Sequence, residues 1–291
     1  MATRIQIAKQ DIVKHFDNYP KKVFDKAEVS DIYKKNRDFW RLAQSMSMGK
    51  FIDFLVKNSK LKVAKFKFPG RSIIKYTWSE VSLYQILVNL RPKCYFTHYT
   101  AMYFHELTEQ IPKVIYVNVE QTPKPKSASL LEQSRIDNAF KGPARISSNI
   151  TEYAGYEIRL LNGMFTGNNG VIEMPGPEGE ALQVTDVERT LIDITVRPEY
   201  AGGVFEVLKA FRNAHQKVSV NRLAAMLRKI NYTYPYHQAI GFYMDKAGVY
   251  SSSQIELLQK FDVSFDFYLA HQLDSPHYSA KWRLYLPEGL Q

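Results

Sequence analysis

The sequence predicts an α+β chain: an N-terminal winged helix-turn-helix over residues 1–80, then a mixed α+β domain over 81–291. Three observations predict it. The front of the chain shows helical apolar spacing three times, then strand-like alternation broken at Pro69-Gly70. All of the net positive charge lies in that same part. Further on, helical and strand-like stretches interleave, the pattern of a mixed domain.

At 291 residues the chain suits two domains better than one. An apolar share of 45% and a charged share of 23% are those of a globular protein. No uncharged apolar run reaches membrane-spanning length, and "MATRIQIAKQDIVKHF" lacks the apolar core of a signal peptide. The lone Cys94 cannot form an internal disulfide and reads as a small buried hydrophobe. A cytoplasmic location with no membrane partner is the expectation.

Residues 1–90 carry eighteen Lys and Arg against eight Asp and Glu, and the remaining residues carry twenty-one of each. The net charge of +10 therefore belongs to the front of the chain. Such segregation favours a polyanionic partner, because each phosphate contact releases condensed counterions.

Ile5, Ala8, Ile12, Val13 and Phe16 define the first helix, which Pro20 closes. Asp25 and Glu28 form a capping box for a second helix from about Lys26, with Val29, Ile32 and Tyr33 inward. Its apolar pattern continues through "NRDFWRLA" toward Ala43. Ser47 caps a third helix, "SMGKFIDFLVKNS", with Met48, Phe51, Ile52 and Leu55 inward. Alternating Val63, Phe66 and Phe68, then Ile73, Ile74 and Tyr76, flank the Pro-Gly turn of a hairpin.

In a winged helix-turn-helix the third helix enters the major groove and the hairpin lies on the backbone. The expected DNA-binding set is Ser47, Lys50 and Lys57 on the helix, with Lys65, Lys67 and Arg71 around the hairpin turn. Asp53 lies among them and would repel phosphate unless it accepts from a cytosine amine. Small winged domains also dock proteins, so a docking module is the alternative.

"SEVSLYQILVNLRPK" reads as a connecting helix ending at Pro92, followed by a helix over 97–107 and a strand over 113–120. "QTPKPKSAS" (121–129) is a polar loop, and "YEIRLL" and "GVIEM" are strands. From Thr185 helices dominate, through "VFEVLKAF", "VNRLAAMLRKI" and "SSSQIELLQKF", before "HYSAKWRLYLP" as a final strand.

The run "TDVERTLIDITVRPEYAGG" (185–203) opens on a capping box of Thr185 and Glu188. Asp186, Arg189, Asp193 and Arg197 follow at steps of three and four, which stacks them on one helical face. The expectation is an exposed ladder of ion pairs, each worth about 0.2–0.5 kcal/mol, opposite buried Val187, Leu191 and Ile194. Each acid has an arginine within a turn, so the row is structural or a docking face and not a catalytic site. A nuclease or transferase using Asp186, Glu188 and Asp193 is the enzymatic alternative.

His98 and His105 stand seven apart, about 10 Å along a helix, too far to share one ion. Histidines satisfied by hydrogen bonds are expected. Tyr232, Tyr234, Tyr236 and His237 form a packing cluster with surface hydroxyls, or stack on bases. No Walker loop, G-x-G-x-x-G, G-x-S-x-G or H-E-x-x-H occurs, so neither metal, cofactor nor catalytic residue is expected.

"YFTHYTAMYFHELTEQIPKVIYV" (95–117) resembles a stretch of AbiEi-family antitoxins, through Thr100, Ala101, His105, Leu107, Thr108, Gln110 and Pro112. "VTDVERTLIDITVRPEYAGGVFEVLKAF" (184–211) resembles that family's second signature, through Thr185, Asp186, Glu188, Arg189, Thr190, Asp193, Pro198, Glu199, Gly202 and Gly203. The resemblance implies an antitoxin whose winged helix represses its own operon by binding inverted repeats in double-stranded promoter DNA. It also implies a C-terminal domain that counteracts a nucleotidyltransferase-type toxin, functionally or by direct binding, in systems linked to phage defence. Two features depart from the family: a longer second helix, and "KNSKLK" in place of a Gly-rich turn after the third. A stand-alone regulator without a toxin partner is the alternative reading.

Overall fold

The computed structural model describes residues 3–123 and 131–290 and shows a mixed α+β architecture. Most of the loop expected over 121–129 lies outside the described residues. The chain divides into two compact units. The first holds residues 1–94, joined by 150–155 and 175–182, and the second holds the rest.

The first unit runs α1 (Arg4–Asp17), β1 (Val23–Phe24), α2 (Lys26–Asn36), α3 (Met48–Asn58), β2 (Leu61–Phe68), β3 (Arg71–Trp78) and α4 (Leu83–Val88). Its sheet has the order β1-β3-β2, antiparallel throughout. Asp25 caps α2, and Glu28 returns the bond to the Asp25 N–H at 2.7 Å. That helix stops at Asn36, well short of Ala43. Arg41 takes φ +50°, and turns carry Trp40 and Leu42 into the core while Phe39 stays outside. The apolar pattern beyond Asn36 thus reports burial without helix.

Ile12, Phe16, Val29, Phe51, Leu55 and Trp78 centre the core. Trp78 stacks on Phe16 at 4.7 Å and donates its indole N–H to Asp17 at 2.7 Å. In the hairpin, Phe68 pairs with Arg71 across Pro69-Gly70, and Gly70 supplies the turn's φ of +74°. The two-residue period sorts the faces of β2. Ala64, Phe66 and Phe68 are buried together, whereas Val63 shares the opposite face with Lys65 and Lys67 and is exposed. A strand from the later chain, β6 (Ile150–Tyr153), belongs to this unit. Its Thr151 hydroxyl accepts the Lys67 N–H at 3.0 Å, and Tyr153 meets the Phe66 ring.

The second unit begins with β4 (Tyr95–Phe96), α5 (His98–Phe104), β5 (Val114–Asn118) and α6 (Gln133–Lys141). Strands β7 (Tyr156–Leu161), β8 (Val171–Pro175) and β9 (Ala181–Thr185), of which Pro175, Ala181 and Leu182 count with the first unit, complete a sheet in which β7-β5-β4-β9-β8 are neighbours. Helices α7 (Val187–Val196), α8 (Val204–Ala214), α9 (Val220–Ile230), α10 (Tyr236–Ala247) and α11 (Ser252–Gln259) follow. The expected final strand is instead two: β11 (His277–Ser279) and β12 (Leu284–Leu286), with β12 between β11 and β10 (Phe267–Tyr268).

Trp282 is fully buried against α10, where Gly241 leaves room for its ring. A Cβ on Gly241 would run into that ring, which is held by its indole N–H bond to Asp245 at 3.1 Å. Gly241→Ala is therefore expected to cost about 1–3 kcal/mol, visible as a lower urea midpoint; an unchanged midpoint would mean the ring gives way freely. Among the described residues, no helix is long and apolar enough to cross a membrane.

Candidate functional site

Two surfaces gather the charged residues, one in each unit. In the first, α3 buries Phe51, Ile52 and Leu55 and turns Lys50, Asp53 and Lys57 to solvent, three and four residues apart. Ser47 caps the helix, its Oγ accepting the Lys50 N–H at 3.3 Å. Lys65 and Lys67 alternate along β2 on one face, and Arg71 opens β3 on the other; all three are exposed. None of these five cations forms an ion pair among the described residues. By contrast, Lys21, Lys60 and Lys62 pair with Glu28, Asp17 and Glu80.

Two further exposed cations close α2, Lys34 and Lys35, and periodicity alone had not singled them out. Lys75 is the reverse case, a buried lysine in the hairpin. Burial lowers its pKa, with Asp25 and Glu28 acting against the shift.

The charged row on α7 is not an exposed ladder. Residues 188–195 are all buried, because the helix packs against α5, α8, α9 and α10. Asp186, not Thr185, is the N-cap, and accepts the Arg189 N–H at 2.8 Å. Thr185 instead shares its hydroxyl with Thr190 at 2.8 Å. Arg189 Nε donates to Asp193 at 2.7 Å, and its Nη1 donates to Thr166 Oγ1 at 2.9 Å and to the Asn169 carbonyl at 2.8 Å. The other Asp193 oxygen accepts the Thr97 hydroxyl at 2.8 Å.

Glu120 extends the network by accepting the Thr166 hydroxyl and, at 2.8 Å, the Thr166 N–H. On the far side, Arg222 meets Asp186 at 2.8 Å and Glu188 at 3.5 Å. Burial pushes the Asp186 carboxyl above its ordinary range, and neighbouring Glu188 adds to the push. For Arg189, burial opposes the charge, but Asp193 outweighs it and holds the guanidinium protonated.

Above this network opens a cleft of about 580 Å³, contained within the second unit. Thr97, His98, Asn118, Arg145, Arg189, Asp193, Arg197, Tyr200, Tyr232 and Tyr236 are among its lining residues. The three arginines face a single carboxylate, Asp193, which Arg189 already occupies. Tyr232 and Tyr234 each set a ring edge-to-face against Tyr236, the expected packing cluster, and all three are half-buried and line the cleft. Burial raises the pKa of the Tyr232 and Tyr236 phenols, that of Tyr236 to about 12, so both stay protonated. Gly202 and Gly203, at φ +80° and +93°, turn the chain below this cleft from α7 into α8.

The two histidines differ. His105 donates its Nε2 proton to the Thr185 carbonyl at 2.6 Å, joining the stretches 95–117 and 184–211. His98 is buried at φ +52°, with its ring edge-on to Tyr200 and no partner on Nδ1. Burial lowers its pKa to about 4. Below its ordinary pKa of about 6.5, the unfolded chain binds a proton that the folded chain refuses. Stability therefore falls as pH drops from about 6.5 to 4, by about 3 kcal/mol from this group. His98→Asn, a residue that tolerates the left-handed region, is expected to flatten urea midpoints over that range; parallel curves would contradict the assignment.

Among the described residues, no group of three or more His, Cys, Asp or Glu is placed to hold a metal ion. Sequence reasoning had not marked Thr97, Glu120, Arg145 or Thr166 as members of a site.

No protein-family model matches the chain, and no curated protein matches it. Among solved structures, the chain is similar to the crystal structure of the Rv2827c protein from Mycobacterium tuberculosis. The two share 13% sequence identity with a TM-score of 0.60, over 96% of this chain and 91% of that one. This is a likeness of fold.

Proposed function

We propose that this protein is a cytoplasmic autorepressor and antitoxin of the AbiEi type. Its first unit acts as a winged helix-turn-helix that binds inverted repeats in its own promoter. Its second unit counteracts a nucleotidyltransferase-type toxin and performs no catalysis of its own. The observation that carries the reading is the set of five unpaired cations on α3 and the β2–β3 hairpin. The order α1-β1-α2-α3-β2-β3 supports it, because that order offers one helix to a groove and one hairpin to the backbone.

The second half of the reading rests on the two sequence signatures. Their residues meet through the His105–Thr185 bond and through Thr97 with Asp193. Buried in a bonded network, Asp186, Glu188 and Asp193 have the partners of structural acids rather than those of free general bases.

A gel shift with the promoter fragment tests the DNA half. A shifted band that survives competitor DNA is expected, and no shift at low salt would leave a docking module. Co-expression with a nucleotidyltransferase from the adjacent reading frame tests the other half. Growth rescue is expected, and unrelieved toxicity would leave a stand-alone regulator.

A further inference from the structure

We infer that the cleft of the second unit binds a nucleoside phosphate. This stands apart from the DNA reading, because every residue that lines the cleft belongs to the second unit. Arg189 lines the cleft with its Nε and Nη1 already bonded to Asp193, Thr166 and Asn169. Arg145 and Arg197 border the same space, and neither forms an ion pair among the described residues. Two guanidiniums without acids, beside one already neutralised carboxylate, give the cleft a surplus of positive charge. A planar guanidinium matches phosphate oxygens two at a time.

The rest of the lining fits a ring rather than a bare ion. At about 580 Å³ the cleft is far larger than a phosphate group and lies in the ordinary range for small-molecule sites. Tyr200, Tyr232, Tyr234 and Tyr236 supply aromatic faces, and a purine or pyrimidine offers the matching π surface. Tyr232 and Tyr236 keep their hydroxyl protons and can donate them.

His98 is the independent sign of a missing partner. The side chain is buried and lines the cleft, yet its Nδ1 bonds to nothing. A buried polar atom left so is costly unless a ligand satisfies it. Neutral at physiological pH, the imidazole can donate to or accept from a base edge or a ribose hydroxyl.

Calorimetric titration of the full chain with AMP, GMP, CMP and UMP, and separately with adenosine and inorganic phosphate, tests this. At least one nucleotide is expected to bind at micromolar strength, at least about ten-fold tighter than phosphate or adenosine alone. Arg197→Gln and Arg145→Gln are each expected to weaken it about ten-fold; Arg145 is exposed, so its variant keeps the fold. Lys50→Gln, in the other unit, should leave the titration unchanged. No binding by any of the four at about 1 mM overturns the proposal. So does phosphate binding as tightly as the nucleotide, or binding indifferent to both arginine variants.

Discussion

Replacing Arg189 with leucine is expected to lower the unfolding free energy by about 3–5 kcal/mol, because it strands a buried carboxylate. Asp193 would keep only the Thr97 hydroxyl, and Thr166 and the Asn169 carbonyl would each lose a donor. Against a total stability of about 5–15 kcal/mol, that is a third or more of what holds the fold. The paired variant Arg189→Leu with Asp193→Leu removes both charges together and should recover most of the loss, since a buried pair often does no better than apolar side chains of similar volume. Urea unfolding of the three proteins checks this. A single variant that costs no more than the double would show that the two charges are not coupled.

The second large effect concerns DNA. Lys50→Glu and Lys67→Glu each place an acid where the account puts a phosphate, on α3 and on β2. Each is expected to weaken operator and non-operator duplexes by about the same factor, ten-fold or more at low salt, since a phosphate contact carries no sequence information. Both side chains are exposed and form no ion pair among the described residues, so the unfolding free energy should stay within about 0.5 kcal/mol of the parent. Fluorescence anisotropy with two duplexes of unlike sequence reads the affinities, and urea unfolding reads the stability. Undiminished affinity in both variants would remove this surface from consideration.

The front unit was the more legible part of the chain. Short-range rules suffice there: Asp25 with Glu28, Ser47 before Met48, and Pro69-Gly70 between alternating runs are local chemistry that structure has little cause to override. Two local details needed the structure. Apolar residues past Asn36 serve the core through turns, and Val63 lies on the exposed face of β2, out of phase with Phe66 and Phe68.

The α7 row was misplaced for a deeper reason. Its spacing of three and four is the same for a solvated ladder and a buried network, and only tertiary packing decides between them. A signal was present in the composition of the stretch. Leu191, Ile192, Ile194 and Thr195 leave no wholly polar face, so the helix is apolar around much of its girdle and suits a central position. The cleft was legible only in pieces. Arg189, Asp193, Arg197 and Tyr232 stood out one by one, but they meet Thr97, Asn118 and Arg145 from separate segments, and no periodicity links residues that only the fold assembles.

The central claim is that attraction for the phosphates of DNA resides in the exposed cations of α3 and the hairpin in the first unit, while Arg189 and Asp193 of α7 neutralise one another. Its most direct measurement is the salt dependence of duplex DNA binding by the full chain, compared with a variant carrying Lys50, Lys57, Lys65 and Lys67 all changed to glutamine. The account predicts that log affinity falls linearly with log salt, and that the variant's slope is shallower by about 0.9 for each contact removed, about 3.6 in all. Equal slopes for the two proteins, or no binding by either at low salt, would contradict it.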